Sequence, residues 1–366
     1  MDKMNRKGFH AAATESLGTS EGYLRYSHRK WLFLGTLAVS LILLSIFTIK
    51  LGSTNLSYWD IIRYIFHPDD SWDSTVVWDL RLKMIVAAIL AGSALGIAGC
   101  VMQSILRNPL ASPFTLGLSN AAAFGASLGI IFLHGGMIVG SSAAYATISN
   151  PLIVTTLAFM FSMLTITVVI LLVKATECTP ETIVLAGLAV SSIFSAGLAF
   201  LQYIANDVAL SAIVFWQFGS LSKVSWSNLY VVAAVLIPAV VYFLYKRWDY
   251  NAMDSGEDIA SGLGVNIKTT RYVGLTVAAV LTAVVVSFMG IIGFIGLIGP
   301  HIIKKVIGND NRYTLIGSMI VGSLVLLLSY IIGTNAFYTV IPVGIITSAI
   351  GGPLFIFILL RGRRKK

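Results

Sequence analysis

Ten apolar runs, most of them about twenty residues long, recur along this chain and are separated by polar turns. A helix that crosses a lipid bilayer needs roughly 20 predominantly apolar residues. Inside a bilayer every backbone polar group must find a partner within the protein, and a helix satisfies its own groups locally. The pattern therefore predicts an all-α integral membrane protein with about ten transmembrane helices.

Composition supports the same fold class. The 366 residues are 57% hydrophobic and 11% charged, whereas a soluble domain carries about 25% charged residues. The net charge of +9 does not indicate nucleic-acid binding, because the basic residues lie between apolar segments and at both ends. Cys100 and Cys178 lie in or beside apolar runs, so neither a disulfide framework nor a metal site is predicted.

The chain divides into a tail and a membrane domain. Residues 1–30 are polar and basic, and we expect a mostly disordered cytoplasmic tail there, followed by one transmembrane domain over 31–366. Short surface helices are expected at 56–66, with Ser57 as a possible cap, and at 208–218. The predicted transmembrane segments are 31–51, 84–106, 115–133, 151–173, 182–204, 229–245, 272–289, 292–306, 314–334 and 341–360.

The basic residues predict the orientation. With a cytoplasmic N-terminus and ten alternating segments, the inner side receives twenty Lys and Arg residues and the outer side receives five. Cytoplasmic loops of membrane proteins carry such an excess of positive charge. We therefore expect both termini and the loop at 246–268 to face the cytoplasm.

The chemistry that the sequence lacks narrows the function. No Asp, Glu, Lys or Arg lies in the middle third of a predicted segment, whereas proton- and ion-coupled carriers keep such groups there. The sequence contains no G-x-x-x-x-G-K-[ST] phosphate loop and no catalytic cluster. A stand-alone secondary carrier and a membrane enzyme are thus disfavoured, and active transport would draw its energy from another subunit.

The loop at 251–267 is the candidate docking site for that subunit. Ser255 and Asp258 have the spacing of a capping box, and Gly264 is placed to end the helix. The predicted helix over 256–263 shows Ile259, Ala260 and Leu263 on one side. Such a helix suits a groove on a partner protein, or it lies on its own protein as an ordinary capped loop.

Other polar residues occur where segments end or along one helix stripe. The turn that contains Arg107, Asn108 and Pro109 either breaks two spans or lines an inner gate. Two further groups have either a functional or a purely structural role, since a lone histidine often caps a helix end and serines often bond to their own backbone. They are Pro300 with His301, and the stripe of Ser191, Ser192 and Ser195 with Gln202 near its outer end.

Several stretches together resemble one family. They are LRLKMIVAAILAGSALGIAGCVMQSILRNPLASPFTLGLSNAAAFGA, WQFGSLSKVSW, GEDIASGLGVNI, GIIGFIGLIGPHIIKKVIGNDNR and IPVGIITSAIGGPLFIFILL. They occur in the order found in the FecCD-type permeases, which are the membrane subunits of type II ABC importers for iron-siderophores, haem and vitamin B12. The resemblance runs from about Gly52 to Arg361.

The resemblance implies a multi-pass subunit of the cell membrane that is not itself an enzyme and binds no cofactor. It would pair with a second permease subunit, two cytoplasmic ABC ATPases and an extracytoplasmic solute-binding protein. An iron(III)-siderophore is the expected substrate, with cobalamin or haem as the alternative. The implied sites are the ATPase contact (Ile259, Ala260, Ser261, Gly262, Leu263, Gly264), the translocation path (Ser191, Ser195, Gln202) and a cytoplasmic-end motif (Arg107, Asn108, Pro109, Pro300, His301).

The chain departs from the family at the outer side. Many members read RLPR at the outer start of segment two, and those arginines contact acidic residues of the binding protein. Here the sequence is RLKM, so that Arg81 and Lys83 are the expected docking residues. Tyr330 and Thr334 stand where the family often has an Asp and an Arg.

Overall fold

The structure, a computed structural model, describes residues 20–52, 54–133, 136–138, 146–148, 150–176 and 178–363. The residues it describes form fourteen α-helices and two short strands. The helices are α1 Ser20–Lys50, α2 Tyr58–Phe66, α3 Trp72–Ile105, α4 Leu118–Phe132, α5 Pro151–Ala175, α6 Pro180–Ile204, α7 Asp207–Gln217, α8 Trp226–Tyr245, α9 Arg247–Ser255, α10 Glu257–Gly262, α11 Ile267–Met289, α12 Ile295–Ile307, α13 Asn311–Asn335 and α14 Val343–Arg363. Strands β1 Gly136–Ile138 and β2 Ala146–Ile148 pair antiparallel, with Met137 opposite Thr147.

Seven of the described helices are long and apolar enough to cross a membrane: α1, α3, α5, α6, α8, α11 and α13. The shorter helices α4, α12 and α14 lie at the predicted segments three, eight and ten. The predicted all-α membrane fold is confirmed. The predicted surface helices are present as α2 and α7, and Ser57 caps α2 in a reciprocal capping box with Asp60.

Helix α3 is the centre of the core, and it packs against α11, α12 and α13 along its length. Its contact with α13 is made by backbones. A Cβ added at Gly96 would lie 2.1 Å from the carbonyl oxygen of Ser318, and one at Gly92 would lie 2.6 Å from that of Gly322. Gly92 and Gly96, four residues apart in the chain, are thus required for the close packing of these two helices.

Two predicted boundaries are wrong. Helix α1 begins at Ser20, so the tail is helical before Trp31 rather than disordered up to Lys30; residues 1–19 lie outside the described part of the chain. Helix α3 begins at Trp72, twelve residues before the predicted start at Met84, and its stretch Val76–Leu82 is a π-helix. Both helix starts contain polar residues, so apolar runs alone do not reveal them.

Candidate functional site

The turn after α3 brings the first group of predicted residues into a defined geometry. Arg107 has a positive φ of 45°, which is uncommon for a residue other than glycine. The amide of Asn108 donates to the carbonyl of Gln103 at 3.1 Å, and the amide of Arg107 donates to that of Ser104 at 3.3 Å. These two bonds are the pattern of a Schellman C-cap, usually made with glycine. Arg107 is exposed, and Pro109 follows it in the turn.

The second group, in α12, meets this turn. Pro109 and His301 line the same small cavity, together with Phe294 and Gly351. Phe294 precedes α12 with a positive φ of 66°, and Gly351 gives its ring room because a Cβ there would lie 2.3 Å from it. Pro300 is buried within α12. The structure therefore brings together the two halves of the predicted cytoplasmic-end motif.

The loop between α8 and α11 contains two short helices where the sequence predicted one. Helix α9 ends at Ser255, whose hydroxyl donates to the carbonyl of Asn251 at 3.2 Å. The predicted capping box of Ser255 with Asp258 is therefore wrong, and Gly256 precedes α10 with a φ of +132°. Gly264 follows α10 with a φ of +82°, so its predicted left-handed conformation is confirmed.

Helix α10 presents only part of its predicted face to the outside. Ile259 is 53% exposed and Leu263 is 69% exposed, whereas Ala260 is fully buried. The prediction that Ala260 lies on the exposed side with them is wrong, because this helix is rotated so that its methyl group packs inward. Ser261, Gly262 and Gly264 are exposed. The surface open to a partner is thus Ile259, Leu263 and the glycine-rich turn after them.

An ion pair between a buried arginine and a partly exposed glutamate anchors α10. Arg271, at the start of α11, is 1% exposed, and its Nη2 lies 2.6 Å from a carboxylate oxygen of Glu257. The same guanidinium donates to the backbone carbonyl of Cys178, which precedes α6. A buried charge is tolerated when it is paired and hydrogen-bonded in this way. Arg271 therefore joins three elements: α10, α11 and the start of α6.

A polar network ties α9 to the ends of α3 and α13. The Asp254 carboxylate accepts from the Ser104 hydroxyl at 3.1 Å and from the Asn311 amide group at 2.9 Å. Burial raises the pKa of Asp254, and the charge of Lys304 and these hydrogen bonds offset only part of that effect. Asn251 accepts from the backbone amide of Asn311 at 2.7 Å. We call this side of the bundle, where α3 ends and α13 begins, the loop end.

The helical part of the N-terminal segment also reaches the loop end. Arg312 pairs with Asp310 at 2.6 Å, and its Nη1 donates to the Tyr23 hydroxyl at 2.5 Å. Its guanidinium lies 4.9 Å from the ring centre of Trp248 in α9. Burial acts to raise the pKa of Asp310, but the hydrogen bonds from Arg312 outweigh it and hold that pKa below its ordinary value. The Arg312 guanidinium of α13 thus contacts residues of both α1 and α9.

The predicted path residues occupy different surroundings on α6. Ser195 is exposed, Ser191 and Gln202 are half-buried, and the Ser191 hydroxyl accepts from the Asn120 amide group at 2.9 Å. Ser192 donates back to the carbonyl of Leu188. An exposed stripe of α6 therefore contains Ser195, and Ser191 is used to join α6 to α4.

The predicted docking residues Arg81 and Lys83 are not free at the surface. Arg81 is 6% exposed and donates to the carbonyl of Ile49 at 3.0 Å and to the carbonyl of Thr54 at 2.8 Å. Lys83 lies 3.8 Å from Asp79, within its own helix. The two terminal nitrogens of the Arg81 guanidinium are thus used inside the chain, and its contact with a binding protein stays a prediction.

Sequence reasoning missed Arg271, Asp254 and Asn311. Arg271 stands directly before an apolar run, and it was counted only as positive charge at a membrane boundary. Its partner Glu257 is fourteen residues away, beyond the reach of local patterns. Among the described residues, no group of three or more His, Cys, Asp or Glu side chains could hold a metal ion.

Comparison with known proteins agrees with this geometry. A transporter permease of the ABC class from Methanocaldococcus jannaschii is 43% identical over 341 residues, which are 93% of this chain and 97% of that protein. The hemin transport system permease protein HmuU of Yersinia pestis is 31% identical over 337 residues, covering 92% of this chain and 97% of that protein. A solved inward-facing metal-chelate type ABC transporter has a TM-score of 0.76 at 27% identity, covering 90% of this chain and 99% of that chain.

Further relatives are named as import permeases for Fe(3+)-citrate in Bacillus subtilis and for vitamin B12 in Citrobacter koseri. The FecCD transport family matches residues 40–361, which is most of the chain and includes both the loop end and the exposed stripe of α6. This chain is a multi-pass ABC transporter permease of the cell membrane, and it belongs to the FecCD transport family.

Proposed function

We propose that this permease forms the path of an ATP-driven importer for a metal chelate, and that the chelate is an iron(III)-siderophore. The named relatives support an iron chelate, because two of them carry hemin and Fe(3+)-citrate, which both contain iron. Hemin itself is the second candidate, since HmuU is 31% identical over nearly the whole chain. The chain would work with a second permease subunit, two ATPases and an extracytoplasmic binding protein.

The observation that carries the coupling part of this proposal is the exposure of α10. Ile259 in α10 and Leu263 directly after it are large apolar side chains that face outward. Exposed apolar groups that cluster on a soluble surface mark sites of protein contact. A cytoplasmic ATPase would cover them and bury their apolar area.

The anchor of α10 is what would pass movement into the membrane. A push on Leu263, which directly follows α10, moves Glu257 at the start of that helix, and Glu257 holds Arg271 of α11. Arg271 in turn holds the backbone before α6, the helix with the exposed serine stripe. These contacts connect the proposed ATPase surface to the start of α6, the helix that contains the proposed path residues. The turn at Arg107 and the His301 cavity would form the inner mouth.

Two measurements test the proposal. The permease is co-expressed with its candidate ATPase and binding protein and purified, and retention of the ATPase is measured. The complex is then reconstituted in vesicles, and uptake of a labelled ferric siderophore, hemin and cobalamin is compared with and without ATP. We expect ATPase retention and ATP-dependent uptake of the siderophore. Uptake without ATP would contradict the coupling, and uptake of hemin or cobalamin alone would contradict the substrate.

A further inference from the structure

A cavity of about 220 Å³ lies at the opposite end of the bundle from the loop end. It lies where α1 ends, α3 begins and α13 ends, and it is open to solvent on one side. Several times the roughly 30 Å³ share of one liquid water fits in such a space. The side chains and backbone that matter for its chemistry are those of Gly52, Thr54, Trp72, Arg81, Tyr330 and Thr334.

Arg81 gives this cavity its charge. The side chain is more than nine-tenths buried, and its hydrogen bonds go to neutral oxygens: the carbonyls of Ile49 and Thr54, and the Thr54 hydroxyl at 2.6 Å. Within the described part of the chain, no carboxylate lies within ion-pair distance of it. Carbonyls satisfy hydrogen bonds but do not cancel a full charge, and a buried charge without a counterion is costly.

Unused donors of this site are open to the cavity. The Nε of Arg81 and the hydroxyl of Tyr330 make no hydrogen bond to the residues that the structure describes, and neither atom is sealed from solvent. A guanidinium with a free edge and a nearby hydroxyl donor is the arrangement that recognises a phosphate or a carboxylate. Gly52 keeps the space open, because a Cβ there would lie 2.9 Å from Nη2 of Arg81.

The surroundings of the cavity match the headgroup level of a bilayer. Its walls are the ends of three helices that are long enough to span the membrane. Trp72 at its rim is 69% exposed, and Tyr338 and Trp59 are exposed nearby along the chain. Trp and Tyr are enriched at the membrane–water interface. Apolar side chains of α1, such as Phe47, face outward just before its end, as expected for contact with lipid tails.

We propose that this cavity binds a phosphate group, with Arg81 as the counter-charge and Tyr330 as a second donor, and that an anionic phospholipid headgroup supplies it. The bound phosphate supplies a close countercharge, since the Asp73 carboxylate acts on Arg81 only from beyond ion-pair distance. It also holds the ends of α1, α3 and α13 together through one ligand. Inorganic phosphate offers the same chemistry without acyl chains, so the test must separate the two sources.

The test uses the full chain in nanodiscs of phosphatidylglycerol or phosphatidylcholine, followed by native mass spectrometry of retained lipid. We expect wild type to retain one phosphatidylglycerol molecule and no comparable phosphatidylcholine. Tyr330→Phe removes only a hydroxyl, and we expect roughly tenfold weaker retention, as for a lost hydrogen bond to a charged group. Arg81→Gln should abolish retention, and Lys83→Gln is the control that removes a nearby charge outside the cavity.

A second arm adds inorganic phosphate at millimolar concentration. If it displaces no phosphatidylglycerol, the lipid headgroup is the source; if it protects wild type against heat but not Tyr330→Phe, free phosphate is the source. Arg81→Gln also removes the hydrogen bonds to Ile49 and Thr54, and the variant could therefore fail to fold. In that case lipid retention by Tyr330→Phe tests the proposal. Equal retention by wild type and Tyr330→Phe would overturn the proposal.

Discussion

Arg271 at the loop end and Arg81 at the opposite end are buried to nearly the same extent, 1% and 6% exposed. Arg271 has a carboxylate partner in Glu257, whereas Arg81 bonds only to carbonyls and a hydroxyl. The loop end therefore balances its buried charge within the chain and gains a fixed anchor for α10. The opposite end leaves its charge to be balanced from outside, so its arrangement depends on what the surroundings supply.

The largest effect is expected from breaking the internal pair at the loop end. Glu257→Gln removes the countercharge while keeping the shape, and Arg271 is left buried and unpaired. We expect a loss of about 2 kcal/mol in the free energy of unfolding, below the value for a fully buried pair because the Glu257 side chain is 39% exposed. Thermal unfolding in detergent measures it, with Asp258→Asn as the exposed control in the same turn. An unchanged melting temperature would mean that the two ends do not differ as described.

The exposed side of α10 should be needed for coupling but not for folding. Leu263→Asp places a charge on a side chain that is already 69% exposed, so we expect normal thermal stability. We expect roughly tenfold weaker ATPase retention, the size of a single strong interface contact, with uptake falling in parallel. Ala260→Arg is the contrasting variant: its site is fully buried, so it should impair folding itself. Normal retention for Leu263→Asp would place the coupling surface elsewhere.

A smaller effect should follow from the N-terminal helix. Tyr23→Phe removes the hydroxyl that accepts from Arg312, and we expect a loss of about 1 kcal/mol, as for one hydrogen bond. Removal of residues 2–24 deletes that contact too, and it should lower the melting temperature at least as much. Removal of residues 2–17 leaves the described helix intact and is the control. If both truncations behave as wild type, the tail adds nothing to the loop end.

The smallest effect is expected from Asp254 at the loop end, whose charge changes with pH. The pKa of Asp254 is raised from the ordinary value of 3.8 by burial. A group whose folded pKa is raised stabilises the fold fully below its unfolded pKa, and this contribution is lost as pH rises through the folded pKa. We therefore expect Asp254→Asn to gain stability relative to wild type between acid and neutral pH. Melting temperatures of both proteins across that range measure the difference, which a flat comparison would contradict.

Local sequence patterns predicted the parts of this fold that depend on near neighbours. Ser57 with Asp60, Gly264 and the apolar runs are decided by residues within one or two turns, and these predictions are confirmed. Ala260 was misplaced because the rotation of α10 is set by the pair of Glu257 with Arg271, across fourteen residues. Arg81 was read as a surface cation because its acceptors, Ile49 and Thr54, lie on another element. The spacing of residues along the sequence does not reveal either set of hydrogen-bond partners.

The glycine contact between α3 and α13 bears on how force crosses the bilayer. Where backbones touch, as at Gly96 and Ser318, no layer of side chains can rearrange to absorb a shift. If α13 slid along α3 by one residue, Cβ atoms would collide with backbone carbonyls. We therefore expect the two helices to tilt together as one rigid unit. Helix α13 has 25 residues and is about 37 Å long. A tilt imposed through Asn311 at one end therefore displaces Tyr330 at the other end within the same movement.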